Sequence, residues 1–146
     1  MQETSTEKMA ETQAKAKIAV FYCCRIPGSS DEERQQIEKR WESAVKCFPL
    51  PCSGRLEQKQ LLMSLEAGND AAYVITCPEE ECRYFEGSRR AAKRVQHARA
   101  LVSEIGIEPD RLGVLVASEG SGTLGEYVEQ LEQKATALGP LFVHVE

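Results

Sequence analysis

Short apolar runs alternate along this chain with segments whose apolar residues recur at helical spacing. The runs are 18–23 (Ile-Ala-Val-Phe-Tyr-Cys), 45–50 (Val-Lys-Cys-Phe-Pro-Leu), 71–76 (Ala-Ala-Tyr-Val-Ile-Thr) and 112–117 (Leu-Gly-Val-Leu-Val-Ala). Apolarity that is continuous rather than alternating suits strands covered on both faces. The helical stripes are Ile37, Trp41, Ala44 and Val45; then Leu61, Leu62 and Leu65 within 56–67; then Ala91, Val95, Ala98, Val102 and Ile105; then Leu124, Val128, Leu131, Ala135 and Leu138. Strands that alternate with helices predict an α/β fold. The expected architecture is an open, mainly parallel sheet of four to five strands with helices on both faces, a flavodoxin- or Rossmann-like three-layer sandwich.

Local signals sharpen this pattern. Ser30-Asp-Glu-Glu33 matches a capping box at a helix start. Gly68-Asn69, Gly106 and Gly139-Pro140 read as helix stops. Pro49 and Pro51 remove ladder donors, so the second strand is expected to lie at a sheet edge or to end early. Residues 141–145 are a candidate short fifth strand. Residues 1–16 read as a flexible polar tail, and 17–146 as one domain, the expectation for a chain of 146 residues.

The net charge of −5 argues against nucleic-acid binding. No apolar run is long enough to cross a bilayer, and the N-terminus lacks the apolar region of a signal peptide. The expected location is therefore cytoplasmic. Disulfides are rare there, so the six cysteines point to metal binding or redox chemistry.

Open parallel sheets bind ligands beyond the carboxyl ends of their strands. Cys23, Cys52 and Cys77 each stand at such an end, and Cys82 follows Cys77 after a four-residue loop. A C-x4-C loop with thiols from elsewhere can wrap an iron–sulfur cluster. On spacing alone, a thiol–disulfide pair is an equal reading, and a closed four-thiolate zinc site is a third. Cys47, inside an apolar run, reads as a small core residue. Cys24 is a spare thiol or a substitute for Cys23. Arg83, Arg89, Arg90, Lys93, Arg94 and Arg99 form either a solvated helix face or a docking patch for an acidic partner, and their place beside the cysteine loop favours docking. Ser118-Glu-Gly-Ser-Gly122 reads as an ordinary strand-to-helix turn. Neither His97 nor His144 pairs with an evident nucleophile and acid, so no hydrolytic triad is expected.

Five motifs occur in order: Cys52-Ser-Gly-Arg55, Cys77-x4-Cys82-x-Tyr84, Gly87-Ser-Arg-Arg-Ala-Ala-Lys-Arg94, Gly106-Ile-Glu-Pro-Asp-Arg-Leu112 and Ala117-Ser-Glu-Gly120. Together they resemble the delta subunit family of methyl-viologen-reducing hydrogenase, over roughly residues 17–140. The resemblance implies a [2Fe–2S] electron carrier with Cys23, Cys52, Cys77 and Cys82 as ligands. It implies partners too: a hydrogenase or formate dehydrogenase subunit on one side, and a heterodisulfide-reductase-like flavoprotein on the other. It implies no substrate turnover by this chain alone. The family usually carries two cysteines separated by two residues after the first strand, whereas here Cys23 is followed by Cys24-Arg-Ile. The carboxylates of Pro78-Glu-Glu-Glu81 are expected to lower the reduction potential if they lie near the cluster.

Overall fold

A computed structural model describes residues 16–23, 26–42, 44–50, 56–76, 87–117, 122–139 and 141, the side chains of 87 and 88 excepted. Four strands are described: β1 (Ile18–Cys23), β2 (Val45–Leu50), β3 (Ala71–Thr76) and β4 (Leu112–Val116). Four α-helices join them: α1 (Asp31–Arg40), α2 (Gln58–Glu66), α3 (Gly87–Glu104) and α4 (Leu124–Leu138). A 3-10 turn at Pro109–Arg111 leads into β4. The sheet is entirely parallel, in the order β2-β1-β3-β4. The candidate fifth strand, 141–145, lies outside the described residues save for Leu141.

Every residue of β1 and β3 is buried, which explains their unbroken apolarity. Pleating sends alternate side chains to opposite faces. Ile18, Val20 and Tyr22 join Tyr73 and Ile75 under Ile37 of α1 and Leu124, Val128 and Leu131 of α4. Ala19, Phe21, Ala72 and Val74 join Leu61 and Leu65 of α2 and Val95, Ala98 and Val102 of α3. Two helices thus cover each face, giving the three layers that the alternation predicts. β2 is an edge strand, which suits Pro49, and Phe48 stacks on Phe21 with ring centroids 5.2 Å apart.

Two helix ends differ from the periodic reading. Ser30 and Glu33 form the expected capping box, the Glu33 amide donating to Ser30 Oγ over 3.2 Å. The helix nevertheless stops at Arg40, before Ala44 and Val45 can join its stripe. Glu42 takes a left-handed φ of 54°, and the Ile18 amide donates to the Ala44 carbonyl over 2.9 Å. Pairing with β1 therefore captures this segment as strand. At the other site, Ile105 falls just past α3 and is 74% exposed. Gly106, at φ +89°, turns the chain, the Ile107 amide donates to the Val102 carbonyl, and Ile107 packs inward instead.

The amino edge of the sheet is closed by a buried polar knot. Arg111 is 1% exposed. Its Nη1 donates to the carbonyls of Asp70 (3.0 Å) and Gly139 (2.8 Å), and its Nη2 to that of Leu138 (3.3 Å). Its Nη2 also lies 2.7 Å from Glu108 Oε1. The Asp70 carboxylate accepts from the amides of Lys17 and Leu141, each at 3.0 Å. One arginine thus satisfies the last carbonyls of α4 and ties them to the start of β3. Arg111→Ala is expected to lower the unfolding free energy by about 3 kcal/mol, read from the urea midpoint, because it strands buried partners. A loss below about 1 kcal/mol would show that the knot is ornamental.

Candidate metal centre

β1 is the pivot of the site because it pairs in parallel with β2 on one side and β3 on the other. Cys23 is in register with Leu50, the last residue of β2, and Tyr22 with Ile75 of β3. Adjacent strands lie about 4.8 Å apart. The three strands that precede Cys24, Cys52 and Cys77 therefore end side by side. Cys23 itself is 3% exposed, and its carbonyl accepts from the Ile26 amide over 3.0 Å as the chain turns off the sheet. Cys24, Cys52, Cys77, Cys82 and Arg83 lie outside the described residues. Among the described residues, no group of three or more His, Cys, Asp or Glu side chains could hold a metal ion.

Three hydrogen bonds bind the loops of this edge to one another. The Ala117 amide donates to the Thr76 carbonyl over 2.8 Å, holding the ends of β3 and β4 together. The Leu124 amide donates to the Pro27 carbonyl over 2.8 Å, joining the turn after β1 to the start of α4. That approach is close enough that a Cβ on Gly28, at φ +74°, would sit 2.9 Å from Thr123 Cβ. Arg94 Nη1 donates to the Leu56 carbonyl over 2.5 Å. Leu56 directly follows the 52–55 segment, and α3 directly follows the segment that carries Cys77 and Cys82. This bond therefore ties α3, about two turns past its start, to the residue that follows the 52–55 segment.

The basic residues divide accordingly. Arg94 is an internal brace as well as a surface charge. Arg99 Nη2 pairs with Asp110 Oδ1 at 3.1 Å. Arg89, Arg90 and Lys93 are exposed in the first turns of α3, the end of that helix nearest the carboxyl edge. His97 is exposed, and His144 lies outside the described residues.

Cys47 is a buried thiol of the core, as its run implies. Its amide donates to Glu38 Oε2 over 3.0 Å. Burial, with the Glu38 carboxylate adding, pushes its thiol from the ordinary value near 9.0 to about 12. Such a thiol stays protonated at neutral pH and is a poor metal ligand. Burial likewise raises Tyr22, aided by Cys47, and Tyr73, each to about 12. Thr76, the last residue of β3, carries a feature that the sequence did not signal. It is fully buried, and its Oγ1 has no hydrogen-bond partner.

Known proteins are similar to this chain in sequence. The family model for the delta subunit of methyl-viologen-reducing hydrogenase matches residues 18–139, from the first residue of β1 to the cap of α4. The chain belongs to this delta subunit family. It is 29% identical over 126 residues to the iron-sulfur subunit of the vhu F420-non-reducing hydrogenase of Methanopyrus kandleri, covering 85% of this chain and 96% of that one. It is 33% identical over 97 residues to the iron-sulfur subunit of the F420-non-reducing hydrogenase of Archaeoglobus profundus, covering 66% and 71%. It is also 36% identical over 102 residues to one subunit of the ferredoxin:CoB-CoM heterodisulfide reductase of Methanosarcina mazei, covering 66% of this chain but only 12% of that protein. No helix among the described residues of this family member is long and apolar enough to cross a membrane.

The folded state holds the protons of Cys47, Tyr22 and Tyr73 more tightly than the unfolded chain does. Their contribution to stability is therefore complete below pH 9 and is lost as the pH rises towards 12. In urea titrations across that window, Cys47→Ala is expected to lose less stability than the unaltered protein. Parallel losses would contradict the burial of an un-ionised Cys47.

Proposed function

We propose that this chain is an electron-transfer subunit that holds a [2Fe–2S] cluster on Cys23, Cys52, Cys77 and Cys82. It would relay electrons between a hydrogenase or formate dehydrogenase module and a heterodisulfide-reductase-like flavoprotein. The observation that carries this reading is the parallel register that ends β1, β2 and β3 side by side, at Cys23, Leu50 and Thr76. The donor set fits the group, since four thiolates complete the coordination of two irons beyond their bridging sulfides. Cys24 is the alternative to Cys23.

When bound, the cluster supplies a site that accepts and gives up one electron without a proton. The chain's own residues do the rest. Cys23, fixed in a fully buried strand, holds its sulfur in a rigid frame and needs little rearrangement as charge changes. Arg89, Arg90 and Lys93 give this edge a positive field within an acidic protein, which steers an acidic partner face and speeds encounter.

The relatives support the choice of partners. Two kinds of protein share this module: separate hydrogenase iron-sulfur subunits, and heterodisulfide reductase subunits within which it spans about an eighth of the length. A module tethered to a reductase meets its neighbours at high effective concentration, whereas a separate chain must supply that affinity through its own surface. The exposed basic residues beside the site are suited to that task.

Protein purified without oxygen is expected to be brown, with iron and acid-labile sulfide in equal amounts. Its reduced form should give an electron paramagnetic resonance signal that Cys47→Ser leaves intact and Cys82→Ser abolishes or alters. Colourless protein that holds zinc, or metal-free protein whose thiol count changes with reductant, would replace this reading with a zinc–thiolate module or a thiol switch.

A further inference from the structure

We propose that the outer edge of β4 is where two copies of this chain meet, their β4 strands pairing antiparallel about a two-fold axis so that the two sheets become one. The pairing stands whether or not a cluster is bound.

The edge itself asks for a cover. β4 lies at the margin of the sheet, and among the described residues no strand pairs with its outer side. Val114 and Leu115 are only half-buried, and Val116 is 56% exposed. Margins that stay in water are normally blunted by charged side chains or proline, because their free backbone groups invite another strand. β2, at the other margin, carries both Lys46 and Pro49. β4 reads Leu-Gly-Val-Leu-Val and carries neither.

Topology turns the chain's own continuation away from this edge. The step from β1 to β2 runs toward one margin, with α1 on one face of the sheet. The steps from β2 to β3 and from β3 to β4 run the other way, with α2 and α3 on the opposite face. All three crossovers therefore share one hand, as parallel connections do. α4 returns to the face of α1, so a parallel strand laid outside β4 after it would need the opposite hand. Leu141 sits at the amino edge, its amide on Asp70 Oδ1, so chain that follows it starts where only a parallel strand could begin.

A second copy fits the edge. Centred on Val114, antiparallel pairing sets Val114 against its own counterpart, Leu112 against Val116 of the second copy, and Gly113 against its Leu115. The exposed Val116 gains an apolar neighbour. Leu115 meets the one position without a side chain, where a Cβ would already sit 3.2 Å from Tyr73 Cδ1. No charged residue lies on the strand, so self-pairing brings no like charges together. Above β4 lies α3. Its flank away from Arg94 and α2 presents Ala92, Gln96, Arg99 and Ser103 at helical spacing. Only Arg99 is charged, and Asp110, just ahead of β4, pairs with it at 3.1 Å. Two copies of α3 can thus lie close without repulsion. One patch serves both sides, so the pair is closed. The carboxyl edges point to opposite ends, which leaves the basic first turns of both α3 helices open to other proteins.

The test is sedimentation equilibrium of the full chain over a dilution series, with Val116→Glu, Lys46→Glu and Ile105→Glu as variants. All three sites are exposed, and unchanged far-ultraviolet circular dichroism confirms that each variant folds. Wild type is expected at twice the 16.2 kDa of one chain. Val116→Glu should raise the dissociation constant roughly tenfold or more. Lys46→Glu at the β2 margin and Ile105→Glu on the apolar surface elsewhere should leave it unchanged. Amide exchange in β4 should be slow in the dimer and fast in the Val116→Glu monomer. A monomeric wild type would overturn the proposal, as would a dimer that Val116→Glu leaves intact or that either control dissociates. Slow β4 exchange in the Val116→Glu monomer would overturn it too, by showing that the chain covers its own edge.

Discussion

The arrangement depends on one constraint, the parallel pairing of β1 with strands on both of its sides. Parallel ladders force neighbouring strands to deliver the chain to the same edge. β1 is central, so its carboxyl end is flanked by those of β2 and β3. Sequence segments separated by dozens of residues thereby leave the sheet within one or two strand spacings of each other. An antiparallel neighbour on either side would have sent one cysteine segment to the opposite edge. Apolar burial maintains the pairing, for β1 and β3 are buried throughout and each face is roofed by two helices.

The two edges of the sheet are built for different purposes. At the amino edge, Arg111 and Asp70 are buried but fully engaged, chiefly with backbone groups, and they lock α4 to β3. This gives the stretch from Gly106 to Leu112, one of the motifs of the family resemblance, a structural meaning, because it positions Arg111. At the carboxyl edge, single hydrogen bonds pin the flanks of each loop, and Thr76 is left with an unanswered hydroxyl.

Much of the fold was legible in the sequence because its signals were local. Continuous apolar runs marked β1 and β3, Pro49 marked β2 as an edge strand, and Ser30 with Glu33 marked the start of α1. The misreadings were cases in which long-range pairing overrode local periodicity. Ala44 and Val45 continue a helical stripe on paper, but β1 claims that segment. Arg94 looked like surface charge because nothing local reveals the distant Leu56 carbonyl. Nothing local to Arg111 shows that it is buried, because the partners that hold it lie 41 and 28 residues away. Of the proposed ligands, Cys23 was placed correctly at a strand end. Thr76 gave no signal, since a threonine closing a strand is ordinary until its hydroxyl is seen to lack a partner.

The central claim is that sulfurs remote in the chain surround a two-iron centre. X-ray absorption at the iron edge of the protein isolated without oxygen tests it most directly. The account predicts a first shell composed of sulfur alone and one iron neighbour for each iron. A first shell of oxygen or nitrogen, or irons without an iron neighbour, would contradict it.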